Sequence, residues 1–167
     1  MKRFLFCFLV ILFCFSCRKW FKDEKLGLAR INYTGNQLRT DGFYYGCSIN
    51  EQLNEDLLNV YFFYRNGIFL DASSWKYNDM EHLKVLIEFP HSECKYEWGI
   101  FQIHDRELLI NRWEIAWGPL PTALFSGEIL NDTTFILHKR NGQAIEEEIY
   151  HFYYYEQKPD STNNYIP

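Results

Sequence analysis

Three tryptophans and two arginines are the residues of this chain best suited to bind another molecule. Trp98, Trp113 and Trp117 lie in stretches where alternate positions are apolar. Residues four apart on a strand share a face, so Trp113 and Trp117 are predicted to lie side by side. Their rings would line a pocket, stack on sugar rings or simply fill the core. Arg39 and Arg112 lie among apolar residues, where each would anchor a ligand carboxylate or form a surface charge.

Cys47 and Cys94 are the second candidate pair. Outside the cytoplasm, an even pair of cysteines is a candidate disulfide. His91 lies three residues before Cys94, and the two would make half of a metal site if Cys47 joined them. The ligand pairs typical of such sites are missing, so the sequence predicts no metal.

No catalytic motif accompanies these residues. The HExxH motif, the Gly-x-Ser-x-Gly motif and the phosphate-binding glycine loop are all absent from the sequence. The acidic residues are scattered over predicted strands and turns, as on a solvated surface, rather than paired as in glycoside hydrolases. The sequence therefore predicts neither an enzyme nor a cofactor.

The elements that position these residues are predicted to be β-strands. Phe, Trp and Tyr make up 19% of the chain, and large aromatic residues favour pleated, half-buried surfaces. Asn66-Gly67, between two apolar runs, predicts a hairpin in which both turn residues have positive φ. About eight strands are expected, as an all-β antiparallel meander that forms a closed or open barrel. The predicted strands span residues 38–47, 59–65, 68–71, 96–104, 107–117, 123–130, 133–140 and 146–156, with further turns at Asp105-Arg106, Asn131-Asp132 and Asn141-Gly142.

One segment, residues 77–89, interrupts the strand pattern. Its apolar residues fall near helical spacing before Pro90, which predicts one short inserted helix. A short strand over residues 85–89 is the alternative.

The first seventeen residues have the layout of a secretory signal peptide. Lys2 and Arg3 precede the apolar run Phe4–Phe15, and Ser16 and Cys17 follow. The run is too short for a stable membrane span. This arrangement resembles the lipobox of bacterial lipoproteins, in a relaxed form similar to that of Bacteroidota, and the resemblance implies cleavage before Cys17 and lipidation of its thiol. An ordinary cleaved signal, with Cys17 unmodified, is the alternative.

These features divide the chain into four predicted parts. Residues 1–16 are the signal peptide, residues 17–37 the lipidated cysteine and its tether, residues 38–156 the β domain, and residues 157–167 a flexible tail. Loss of the signal leaves 15 basic and 22 acidic residues, a net charge of −7. Such a charge disfavours nucleic acid and anionic lipid as partners, so membrane attachment would depend on the lipid at Cys17.

Four segments carry a wider resemblance. LRTDGFYY, YFFYRNGIFL, WGIFQIHDRELLI and FSGEILNDTTFIL, in this order, resemble a group of small Bacteroidota lipoproteins with a lipocalin-like β meander. The resemblance implies an outer-membrane location, on the periplasmic or cell-surface face, and no particular activity. The expected function is a membrane-anchored binding module for a small apolar or glycan-like ligand. The alternative is an envelope accessory protein that acts through contact with another protein.

Overall fold

The computed structural model describes residues 22–50, 55–73, 93–141 and 144–167, and this part of the chain forms a closed β-barrel. Each strand pairs antiparallel with the next, and β8 returns to pair with β1. The predicted all-β meander is confirmed, and the barrel is closed rather than open. The strands are β1 Gly42–Asn50, β2 Glu55–Phe63, β3 Ile68–Asp71, β4 Trp98–His104, β5 Glu107–Trp113, β6 Thr122–Asn131, β7 Thr134–Asn141 and β8 Ala144–Tyr154, with a short 3₁₀ turn at Lys95–Glu97.

The hairpin predicted at Asn66-Gly67 joins β2 to β3, but its turn differs from the expected one. Among the described residues, Asp105 is the only residue other than glycine with positive φ, so Asn66 does not have it. Gly67 alone takes the left-handed conformation, at φ +80°. Tyr64 and Ile68 close the loop through a backbone hydrogen bond of 3.0 Å, which leaves three loop residues. This is the three-residue hairpin with a bulge at its glycine.

Aromatic side chains fill the interior of the barrel. Phe63 of β2 contacts Phe101 of β4 and Phe135 of β7, with ring centroids 5.0 and 5.7 Å apart. Tyr150 of β8 stacks on Phe135 at 4.8 Å. These contacts cross the barrel from strand to strand, which explains the high aromatic content of the chain.

A second apolar cluster lies on the outer face of β1 to β5. Two segments outside the barrel cover it, here called the N-terminal strap (residues 22–38) and the C-terminal tail (residues 157–167). Leu26 and Leu28 of the strap and Ile166 of the tail pack against this cluster, where Ile166 is only 6% exposed. The prediction of a flexible tail is therefore wrong, and the described part of the predicted tether is docked on the barrel. Both segments are mainly polar and lack periodicity, so their few apolar anchors are hard to recognise in sequence.

The strap runs along the barrel from one end to the other. At one end, which we call the polar end, Glu24 accepts a hydrogen bond through its backbone oxygen from Trp113 Nε1 (2.7 Å). Midway, the side chain of Asn111 accepts a hydrogen bond from the backbone N–H of Gly27 (2.5 Å). At the other end, the turn end, Tyr33 is buried against Phe101. The β2–β3, β4–β5 and β6–β7 turns lie at the turn end, and the β5–β6 loop lies at the polar end.

Several predictions fall on residues outside the described part of the chain. They concern the signal peptide, Cys17, the helix over residues 77–89, His91 and Gly142 of the last turn. Within the described residues, no helix is long and apolar enough to cross a membrane.

Candidate functional site

A polar cluster lies on the inner face of the barrel, near its polar end. Arg112 shares this face with Leu108 and Ile110 of β5, and its guanidinium forms an ion pair with Asp71 of β3. The Asp71 side chain is 10% exposed and the Arg112 side chain 22% exposed. Water therefore reaches only a small part of the pair.

Four more side chains complete this polar cluster. Glu148 of β8 accepts hydrogen bonds from Tyr150 Oη (2.6 Å) and from Asn59 Nδ2 (3.3 Å), both at Oε2. Tyr61 stacks on Tyr150, with ring centroids 4.7 Å apart. Carboxylate, amide, hydroxyl and guanidinium groups thus lie against aromatic rings in one place. The six residues are Asn59, Tyr61, Asp71, Arg112, Glu148 and Tyr150.

Burial governs the protonation of this cluster. It raises the pKa of Tyr150 well above its usual range, and Tyr61 and Glu148 raise it further, so the hydroxyl stays protonated and donates. Burial acts to lower the pKa of Arg112, but Asp71 and the other neighbouring groups outweigh it, and the pKa is raised. The guanidinium therefore keeps its charge and its fixed set of donors.

The local sequence explains how Arg112 reaches the interior. It follows the alternation of β5, two residues after Ile110 and beside Gly99 of β4. A Cβ atom at Gly99 would lie 2.8 Å from the Cβ of Arg112 and 2.6 Å from the carbonyl oxygen of Asn111. Glycine at this position leaves room for the arginine stem between the two strands. On its far side, Arg112 lies over the ring of Phe125, 5.3 Å from the centroid.

The predicted tryptophan site is not present. Trp98 and Trp113 face outward and are buried in the cluster under the strap and tail. Strand β5 ends at Trp113, so Trp117 does not share a strand face with it and is fully exposed in the β5–β6 loop. One further backbone hydrogen bond follows the strand in the same register, from the N–H of Glu114 to the carbonyl of Pro121 at 2.9 Å, and Pro121 has no N–H to continue the ladder.

The two candidate arginines lie at opposite ends of the barrel. Arg39 precedes β1 at the turn end, where it pairs with Asp41 at 2.6 Å and stacks over Phe152. Its side chain is 40% exposed and lies outside the barrel interior, so it is a surface charge, which was one of its two predicted roles. Arg112 alone faces the interior. Sequence alone gave no means to choose between them.

Cys94 is a free thiol, so the predicted disulfide with Cys47 is not formed in this structure. Cys94 lies just before β4, and Cys47 belongs to β1, which β2 and β3 separate from β4 along the sheet. Burial raises the pKa of the Cys94 thiol, with a further contribution from Glu97, so the reactive thiolate is disfavoured. Within the described residues, no group of three or more His, Cys, Asp and Glu side chains could hold a metal ion.

The sequence did not predict three residues that define the site, namely Asn59, Asp71 and Glu148. Each lies two residues from an inward aromatic residue on its own strand, as Asp71 does from Phe69. That spacing was available as a signal, because positions two apart share a face. Reading it required knowledge of which face of each strand is inside.

Comparison with known proteins identifies no relative of this chain. No protein-family model, curated protein or solved structure matches the chain. The fold and the polar cluster therefore stand on the geometry alone.

Proposed function

We propose that this protein is a membrane-anchored cell-envelope binding module whose polar cluster holds a small glycan. The observation that carries the proposal is the ion pair of Arg112 and Asp71 on the inner face of the barrel, surrounded by tyrosines and carboxylates. Anchoring would come from a lipid on Cys17, as its place after the apolar run suggests.

A glycan suits this cluster better than an apolar ligand does. Aromatic side chains of the chain itself already fill the interior towards the turn end, which leaves little apolar surface for a ligand to cover. The remaining groups are carboxylates, an amide, tyrosine hydroxyls and a guanidinium, which suit hydroxyl groups that both donate and accept. The partly buried ring of Phe125 supplies a face for the C–H side of a sugar.

The formal charges favour a neutral ligand. Arg112 contributes one positive charge, and Asp71 and Glu148 contribute two negative ones. A ligand carboxylate would have to displace Asp71 from Arg112 and would meet Glu148 nearby. A neutral polyol avoids that repulsion, so the role first predicted for Arg112, the binding of a ligand carboxylate, is replaced by hydrogen bonding to hydroxyl groups.

The energetics of the pair also favour a binding role. Removing two opposite charges from water usually costs as much as their attraction returns, so a buried pair adds little to stability compared with apolar residues of the same size. The inward residues toward the turn end form an apolar and aromatic cluster, which shows that this barrel can pack its interior with apolar residues. A charged pair at the polar end is more simply explained by a ligand.

Nuclear magnetic resonance titration of the mature chain with Cys17→Ser would test the proposal. The probes are neutral mono- and disaccharides at millimolar concentration, with a sugar acid and a fatty acid for comparison. We expect at least one neutral sugar to shift the Asn59 side-chain amide and the Arg112 Nε–H resonances. The variants Asp71→Asn and Glu148→Gln should weaken that binding at least tenfold, whereas Asp41→Asn at the turn end should leave it unchanged.

Two results would refute the glycan proposal. Absence of shifts at the cluster with every sugar would remove its basis, and shifts that persist unchanged in both cluster variants would place the ligand elsewhere. Preferential binding of the fatty acid would instead favour the apolar ligand expected from sequence.

A further inference from the structure

The β5–β6 loop presents the most exposed apolar side chains of the described chain. Trp117 is fully exposed and Ile115 is 76% exposed. The exposed side chains of Ile115 and Trp117, two residues apart on this loop, are here called the apolar tip. A fully exposed indole beside an exposed isoleucine on one loop is typical of a contact with an apolar partner.

The loop that carries the apolar tip is held firmly at its base. The backbone N–H of Glu114 donates to the carbonyl of Pro121 at 2.9 Å, which closes the loop. Asp23 of the strap accepts from the backbone N–H of Leu120 (2.8 Å), and Glu24 accepts from the backbone N–H of Thr122 (2.8 Å). The exposure of Trp117 is thus the property of a fixed loop, not of a loose end.

The same contacts place the beginning of the strap at the polar end. Asp23 also pairs with Lys95 at 2.6 Å, and the hydrogen bond from Leu120, together with this ion pair, lowers the pKa of the Asp23 carboxyl. Asp23 lies only six positions after Cys17, a span of at most about 22 Å when fully extended. A lipid on Cys17 would therefore hold the apolar tip within a short distance of the bilayer.

We infer that the apolar tip inserts into the lipid–water interface and sets the orientation of the barrel, with its polar end toward the membrane. This inference rests on the proposed lipidation of Cys17. Tryptophan favours the interface, where its ring lies among the acyl chains and its N–H meets the head groups. The charges beside the loop include Asp23, Glu24 and Lys95, so the contact depends on apolar insertion rather than on attraction to anionic lipid.

Quenching of tryptophan fluorescence by brominated lipid tests this contact. The full-length protein is purified with its native lipid and reconstituted in phosphatidylethanolamine–phosphatidylcholine vesicles that contain brominated phosphatidylcholine. All variants carry Trp20→Phe, which removes the tryptophan nearest the anchor. We expect quenching in this background, loss of most of it on Trp117→Phe, and little change between low and high salt.

A matched control moves the indole to the opposite end of the barrel. Tyr154 is exposed and ends β8 at the turn end, so Tyr154→Trp in the Trp20→Phe, Trp117→Phe background should not restore the quenching. Equal quenching with and without Trp117, or full recovery in the Tyr154→Trp variant, would refute the inferred orientation while leaving the anchor intact. The mass of the purified protein reports the anchor separately. An unmodified Cys17 with no vesicle binding would refute both the anchoring and the inference built on it.

Discussion

A double-mutant cycle on Asp71 and Arg112 separates a stabilising role of the ion pair from a binding role. Asp71→Asn keeps the size of the side chain and its hydrogen bond from the backbone N–H of Ser73, which is 2.9 Å long. It leaves the Arg112 guanidinium without its anionic partner on the inner face. Arg112→Met keeps most of the stem volume and removes the charge.

The expected sizes follow from the burial of the pair. Loss of one partner of a fully buried pair costs about 3 to 5 kcal/mol, and partial access of water to Arg112 lowers the expectation for Asp71→Asn to about 2 to 3 kcal/mol. Arg112→Met should cost about 1 to 2 kcal/mol, because the Asp71 carboxylate keeps its hydrogen bond from the backbone N–H of Ser73. The double variant should cost no more than Arg112→Met alone, since neither charge is then left unpaired.

Urea denaturation of the four proteins, followed by circular dichroism, gives the coupling free energy. We expect about 2 kcal/mol of coupling for this pair and none that can be resolved for the exposed pair of Arg39 and Asp41, which is the control. If the double variant lost as much unfolding free energy as the two single variants together, Asp71 and Arg112 would contribute independently, and the electrostatic argument would be wrong. If the double variant were stable yet still bound the sugar, the binding role would be wrong.

Three further changes test other parts of the fold by denaturation. Gly67→Ala should destabilise the protein by about 2 kcal/mol or more, because φ is +80° at this residue and the new Cβ would overlap the carbonyl oxygen of Ile31. An unchanged denaturation midpoint would mean that the strap is not held against this turn. Ile166→Ala should cost about 2 kcal/mol if the tail is part of the core, and no loss would mean that the tail is not packed. Burial lowers the pKa of Lys158 from 10.5 to about 8. Above pH 8 the unfolded chain therefore binds more protons than the folded chain, and the free energy of unfolding should rise with pH, by at most about 1.4 kcal/mol per pH unit. Above pH 10 stability should fall, because burial raises the pKa of four tyrosines whose unfolded forms ionise there. These tyrosines are Tyr44, Tyr64, Tyr96 and Tyr150. A Lys158→Met variant that keeps the rise in stability above pH 8 would refute the assignment of that rise to Lys158.

Alternation and turn chemistry predicted the barrel but not its boundaries. The turn at Asp105-Arg106 was located correctly, because a short polar pair between apolar runs defines a hairpin locally. The turn predicted at Asn131-Asp132 lies one residue later, at Asp132-Thr133, because Asn131 still pairs with Thr134 as the last residue of β6. The start of β1 was predicted at Leu38, yet the strand begins at Gly42. Leu38 has the apolar character of a strand residue, but it is buried with Tyr33 at the turn end of the barrel. Its role depends on contacts distant in sequence.

Of the six residues of the candidate site, only Arg112 was predicted from the sequence. Arg112 was singled out because a charge within an apolar run is unusual, whereas Asp71 stands at the end of its strand, where a polar residue is expected. The tryptophans were misleading for a physical reason. A barrel of this size with covered outer strands has two apolar layers, and aromatic residues are needed in both, so aromatic identity does not reveal which layer a residue occupies.

The strap connects the two proposals, because it begins beside the apolar tip and ends at the turn end. If the tip lies in the interface, the polar cluster lies at the end of the barrel nearest the head groups. A glycan carried on a lipid would then reach the cluster from the membrane surface, whereas a free sugar would have to diffuse into that narrow zone. We therefore expect the vesicle-bound protein to bind a glycolipid carrying the preferred sugar more tightly than the free sugar, and Trp117→Ser to remove this advantage without changing the affinity for free sugar. Equal loss of both affinities in that variant would mean that Trp117 contacts the ligand itself.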